Sequence, residues 1–185
     1  MAAKPTFGRY AEIPYDQMTP EQQEGFKVVM ETRGNLPGPA KIYVHNAKLA
    51  KLLGPLGRHF RTDYSLSERE REIVLIIFCA KIKSAYATSG HEKVARKEGL
   101  PADKVEAILS GLTTSFDDKR EQVVYEMSIC LSESRWVSTG LFDRAVELLG
   151  HVGITDVIGM AGYYSTVAMT LAFYDVPAGA TGMQR

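Results

Sequence analysis

An all-α fold is predicted by three observations. Segment after segment opens with a helix-start signal and continues with apolar residues spaced three and four apart. Glycine or proline then ends most of these segments. No stretch of strand length alternates apolar with polar residues. At 185 residues and 45% hydrophobic composition, the chain can bury one sizeable core, so disorder is excluded and a single domain is expected.

Residues 1 to 18 have few periodic apolar positions and read as an arm that packs on a body or a neighbour. Thr19 and Pro20, with Glu21, open a first helix that should run to about Thr32. R-G-N-L-P-G-P, from Arg33 to Pro39, is a loop. Ala40 to Phe60 carries Ile42, Val44, Leu49, Leu52, Leu53 and Leu56, and Gly54-Pro55 should split or kink it. His45 near a helix start and His59 near a helix end read as capping or surface groups. Ser67 and Glu70 form an S-x-x-E capping box, in which each side chain accepts a bond from an unpaired backbone N–H.

A helix from Ser84 to Lys97 ends on Gly99 and Leu100. Pro101 opens the next helix, which Gly111 stops. S-F-D-D at Ser115 to Asp118 is another capping-box type of start, leading into a helix with Val123, Val124, Met127, Cys130 and Leu131 inward. Thr139 to Gly150 forms a further helix, and Thr155 should cap a last, very apolar one in which Gly159 and Gly162 admit a close neighbour.

Val157 to Tyr174 approaches membrane-spanning length, but it contains Ser165, Thr166 and Thr170 and lacks flanking lysine or arginine. It reads as a buried core helix, and no membrane partner is expected. Lys plus Arg and Asp plus Glu are both 22, so a zero net charge gives no support to nucleic acid as a partner. The N-terminus has no apolar core of signal-peptide length, and Cys79 and Cys130 both sit in apolar helical patterns as inert thiols. A cytoplasmic protein is expected.

The stretch from Ser67 to Leu100 stands out. If the helix begun at Ser67 continues, Glu72, Ile76, Cys79 and Lys83 share one face. Glu72 then lies where the polar first turn meets the buried face, and partial desolvation there suits a carboxylate to hold or pass a proton. His91, on the following helix, is its natural partner.

S-L-S-E-R-E-R-E-I-V-L, then Y-A-T-S-G-H, then G-L-P-A-D-K-V-E-A-I, and finally G-Y-Y-S-T-V-A-M-T-L-A-F-Y-D-V-P follow one another in this order. Together they resemble the carboxymuconolactone decarboxylase-like family, within the superfamily that includes the alkyl hydroperoxidase D proteins. The resemblance implies a compact helical bundle assembling into homotrimers or hexamers, with pockets near subunit contacts. It also implies the organisation of the chain: an arm and first helix over residues 1–35, the helical domain over 36–180 and a loose tail over 181–185, one domain overall.

Family peroxidases carry C-x-x-C-x-x-x-H with an upstream glutamate. Laid on this sequence, the histidine is His91 and the glutamate Glu72, while Ser84 and Ala87 stand at the cysteine positions. A thiolate must attack the peroxide, usually with a second thiol to resolve the sulfenic acid, and neither residue can do so. Members without the cysteines carry Y-E-W-x-x-H. Tyr86 and His91 match that pattern, but Ala87 and Thr88 replace the glutamate and tryptophan, leaving a less acidic and roomier pocket.

Decarboxylating an unsaturated lactone leaves electrons that the substrate itself holds as a dienolate, so no cofactor is called for. One acid or base near neutral pKa is needed, with donors for the oxyanion. Histidine can take either role. The expected catalytic set is His91 as proton shuttle, Glu72 orienting it and Tyr86 as hydrogen-bond donor. Thr88 and Ser89 are pocket candidates, and Arg69 or Arg61 could hold a substrate carboxylate bidentately. The histidines and acids show no metal-ligand spacing, so no metal site is expected. Two other readings stay open: a peroxidase-type oxidoreductase using an unrecognised thiol such as Cys79, and an inactive helical oligomer that binds a small ligand.

Overall fold

A computed structural model of the chain describes residues 4–36 and 38–183. Among them are eight α-helices: α1 Pro20–Arg33, α2 Ala40–Tyr43, α3 Ala47–Thr62, α4 Glu68–Lys81, α5 Ala85–Lys97, α6 Ala102–Leu109, α7 Lys119–Ser132 and α8 Thr139–Phe173. The fold is all-α, and no strand ladder occurs among the described residues.

Helix α4 is the centre of the molecule. It packs against α5, α6, α7 and α8, and Ile73, Val74, Leu75, Ile76 and Cys79 are all fully buried. A helix that is apolar all round has no solvent face, which is why its hydrophobic run is continuous. Its polar start is held by the expected capping box: Glu70 N–H donates to Ser67 Oγ at 3.1 Å, and Ser67 N–H to Glu70 Oε2 at 2.8 Å. The helix ends at Lys81, and Lys83 lies beyond it with a φ of 59°.

Three expected boundaries move. The break in the 40–60 segment falls at residues 44–46, because Asn46 accepts from Leu49 N–H and caps a new helix, and α3 runs through Pro55. Asp118, not Ser115, caps α7, accepting from Arg120 and Glu121 N–H. The last helix does not start at Thr155. Gly150, at φ 63° and ψ 176°, turns the chain between limbs 139–149 and 151–173 of α8.

The second limb of α8 buries Val157, Met160, Ala161, Val167, Ala168 and Leu171, and α8 packs on α3, α4, α5 and α7. By length and composition alone α8 could cross a membrane, and one face of its second limb is built into the core. Gly159 lies against Phe60, where a Cβ would sit 2.8 Å from the ring, whereas Gly162 faces open space. Cys130 is only partly buried, with Sγ 3.5 Å from the Arg135 carbonyl, unlike the enclosed Cys79.

The N-terminal arm is anchored by Phe7, fully buried, and by Glu12. Lys41 Nζ meets Glu12 Oε1 at 2.7 Å with both side chains buried, and Thr6 Oγ1 donates to Glu12 Oε2 at 3.0 Å. Met183 N–H also donates to Glu12. Residues 181–183 of the expected loose tail are therefore tied back to the arm, and 184–185 lie outside the described residues.

Candidate active site

Helices α4 and α5 pack side by side and bring Glu72 to His91. Glu72 Oε2 is 3.0 Å from His91 Nδ1, and Glu72 Oε1 is 2.9 Å from Arg71 Nη2. Glu72 is not at a half-desolvated edge but fully buried. Two cationic or hydrogen-bonding partners make that burial tolerable. A carboxylate accepts only, so Nδ1–H donates to it and Nε2 is the nitrogen left for a ligand. Arg71 is itself held by Tyr64 Oη at 3.0 Å and by Glu68. Burial alone would push its guanidinium pKa down, but the hydrogen bond to Tyr64 and the charge of Glu72 raise it on balance.

His91 borders a cavity of about 280 Å³ walled by six parts of the chain. Arg33 comes from the end of α1, Gly38 and Pro39 from the loop after it, Arg61 from α3, and Arg71 from α4. Helix α5 adds Tyr86, Ala87, Gly90, His91 and Val94, and α8 adds Tyr163, Tyr164, Val167 and Leu171. The Tyr164 ring stands edge-on to His91 with centroids 5.2 Å apart. Burial pushes the Tyr164 hydroxyl up to about 12, so it stays a donor at any physiological pH. Burial also raises Tyr163, against the opposing charges of Arg33 and Arg61. Tyr86 is seated between Phe7, at 5.5 Å between centroids, and Gly38, where an added Cβ would meet the ring at 3.3 Å.

The cavity is electropositive. Arg71 is neutralised by Glu68 and Glu72, but among the described residues no carboxylate pairs with Arg33 or Arg61. Arg61 Nη1 is buried without a hydrogen-bond partner. Burial, and then the Arg33 charge, push the Arg61 guanidinium down from its ordinary value. An anion between these two arginines would satisfy both. No group of three or more His, Cys, Asp or Glu side chains suited to a metal occurs among the described residues.

Of the residues singled out in the sequence, His91, Glu72, Tyr86 and Arg61 converge here. Thr88 and Ser89 do not line the cavity: α5 presents positions 86, 87, 90, 91 and 94, and 88 and 89 fall off that helical stripe. Arg69 is elsewhere too. Its guanidinium grips Glu121 of α7, at 2.6 Å from Nε and 3.0 Å from Nη2, and donates to the Gly99 carbonyl at 3.1 Å. Arg33, Arg71, Tyr163 and Tyr164 were not anticipated. Arg71 adjoins Glu72 in sequence and could have been suspected, but Arg33 reaches the cavity only because α1 packs on α3.

No family model matches the sequence, and no curated protein does. Among solved structures, the apo debrominase Bmp8 superposes with a TM-score of 0.67 over 91% of this chain and 91% of its own, at 16% identity. The chain shares its fold with that debrominase. A cysteine-to-alanine variant of Bmp8 in complex with 2,3,4-tribromopyrrole gives a TM-score of 0.66, covering 91% of this chain and 90% of that one at 16% identity. Such a likeness is one of fold, an all-helical one. It transfers no residue role.

Proposed function

We propose that this chain is a cofactor-free acid-base enzyme, resembling carboxymuconolactone decarboxylase, that acts on a small carboxylated lactone or ring compound. The observation that carries the reading is the His91–Glu72 pair at a cavity where Arg61 Nη1 is buried and unpartnered. Arg61 with Arg33 takes the substrate carboxylate, in place of Arg69. Tyr163, Val167 and Leu171 receive the ring, and Tyr86 and Tyr164 donate to the oxyanion. That Bmp8 is a debrominase, and that a variant of it was captured with a small bromopyrrole, supports small-molecule chemistry in this fold.

In the decarboxylating form of the reaction, the bond from the ring to the departing carboxylate breaks and CO2 leaves. Its electron pair enters the conjugated lactone as a dienolate. The Nε2–H of a His91 imidazolium then protonates carbon, leaving neutral imidazole with Nδ1–H on Glu72, and water returns the proton. Glu72 keeps the ring oriented through Nδ1.

The oxidoreductase reading loses support, because Cys79 is fully enclosed and burial, with the Glu72 charge, pushes its thiol up to about 12. Assembly into a trimer or hexamer belongs to the proposal, and the exposed Leu52 of α3 and Ile158, Met169 and Phe173 of α8 favour it.

The test is thermal shift, then turnover, of wild type and His91→Ala against carboxylated lactones, aromatic acids and cyclic keto acids. One class should stabilise the wild type and be turned over only by it. Binding by both proteins with no turnover by either would indicate an inactive ligand-binding oligomer.

A further inference from the structure

A second cavity, of about 400 Å³, opens where the end of α4, the α4–α5 turn, α6 with the loop after it and the end of α7 meet. It shares no lining residue with the cavity at His91. Its floor is apolar: Ile77, Ile108, Leu109, Leu112, Tyr125 and Ile129. Ile77 and Ile108 belong to the closed core, whereas Leu112 is left 65% exposed on the loop. Covering such a surface removes apolar area from water.

The rim is cationic. Lys81, Lys83 and Arg135 surround a single carboxylate, Glu133. Lys81 Nζ reaches Glu133 Oε1 at 2.9 Å and Arg135 bonds its other oxygen, so one carboxylate serves two cations. Among the described residues Lys83 has no ion pair. Its φ of 59° lies in the left-handed region, where a glycine would be unstrained. This turn closes the end of α4, with Lys83 N–H on the Ala80 carbonyl at 2.9 Å and Ser84 N–H on the Cys79 carbonyl at 3.1 Å, and it leaves an unpaired ammonium at the mouth of an apolar groove.

We propose that this groove binds an amphiphilic monocarboxylate, with the apolar tail or ring on the Ile108, Leu112 and Ile129 floor and the carboxylate between Lys83 and Arg135. The excess of positive charge selects the anion, and the floor selects an apolar body over a small polar one. The site is separate from the proposed catalytic cavity and does not depend on the reaction assigned there.

The chain carries its own reporter. Trp136 is the only tryptophan, is 91% exposed, and lines an adjoining cavity that shares Thr113, Tyr125, Ile129 and Arg135 with the groove. Full-length protein is titrated with decanoate below its micelle threshold, and with decanol, while Trp136 emission is followed. Decanoate should give a saturable shift, with decanol at least fivefold weaker. Lys83→Gly and Lys83→Asn, both compatible with the left-handed backbone, should raise the decanoate Kd at least fivefold without lowering Tm. His91→Ala should bind decanoate as the wild type does. Any of four results overturns the proposal: no saturable shift, equal affinity for decanol, unchanged affinity in both Lys83 variants, or loss of the shift in His91→Ala, which would place decanoate in the other cavity.

Discussion

Glu72 Oε2 lies 3.0 Å from His91 Nδ1, and the carboxylate that makes this contact has no exposed surface at all. Its orientation is therefore set by protein groups, Arg71 on one oxygen and His91 on the other. Glu72→Gln keeps the shape but offers an amide that can donate to Nδ1, forcing the proton to Nε2. With the substrate class identified as above, kcat should fall by roughly 10²–10⁴-fold. Nitrogen-15 histidine spectra should show the changed tautomer, and an unchanged tautomer with full turnover would remove Glu72 from the mechanism.

The two arginines raised by the sequence should separate cleanly. Arg61→Ala removes a buried, unpaired guanidinium from the cavity and should raise KM by roughly 10–100-fold, the worth of a charge-assisted hydrogen bond. Arg69→Ala breaks the grip on Glu121 instead, and should cost about 1–2 kcal/mol of stability with KM unchanged. Equal KM effects from the two variants would contradict the placement of the substrate carboxylate.

Acid should loosen the clasp between the two ends of the chain. Burial pushes the Glu12 carboxyl up, but Lys41, Met183 N–H and Thr6 together hold it below its ordinary value of 4.5. Its folded pKa is thus depressed, so its contribution to stability is present above about 4.5 and is lost as pH falls through the lower folded value. Urea unfolding across that window should show the loss in wild type and a flatter acid limb in Glu12→Gln. Identical limbs would mean that the clasp contributes nothing.

Thiol chemistry offers a further check. Cys79, enclosed and pushed up to about 12, should resist alkylation in the native state, while the partly buried Cys130 reacts first. Cys79→Ser should destabilise by about 1–3 kcal/mol, since it buries a hydroxyl in an apolar setting, and should leave any loss of hydroperoxide unchanged. Peroxide turnover that disappears with Cys79→Ser would revive the oxidoreductase reading.

Much of the fold could be read directly from the chain. Capping chemistry is local, so Thr19, Ser67 and Gly99 mark their helix ends in the sequence, and the same signals put Glu72 and His91 on adjacent helices. The boundaries that moved did so for reasons of local geometry that the pattern left ambiguous. Asn46 caps where Gly54-Pro55 was the louder signal, and Gly150 interrupts the helix as expected, but the next limb begins straight after it rather than at Thr155.

The sequence by itself determined that the chain is helical, that α4 joins a capped polar start to a long apolar run, and that a histidine and a carboxylate lie on successive helices, because helix periodicity and end signals extend only a few residues. Only the tertiary structure decided which charged groups face the cavity. Arg33 enters it through the packing of α1 on α3, and Tyr163 reaches α3 where Gly57 leaves room for its hydroxyl. Arg69 and Arg71 are two residues apart on one helix, yet the first is spent on Glu121 and the second borders the cavity beside Glu72. Two residues are about 200° around a helix, so which of them faces a site depends on what packs against each side.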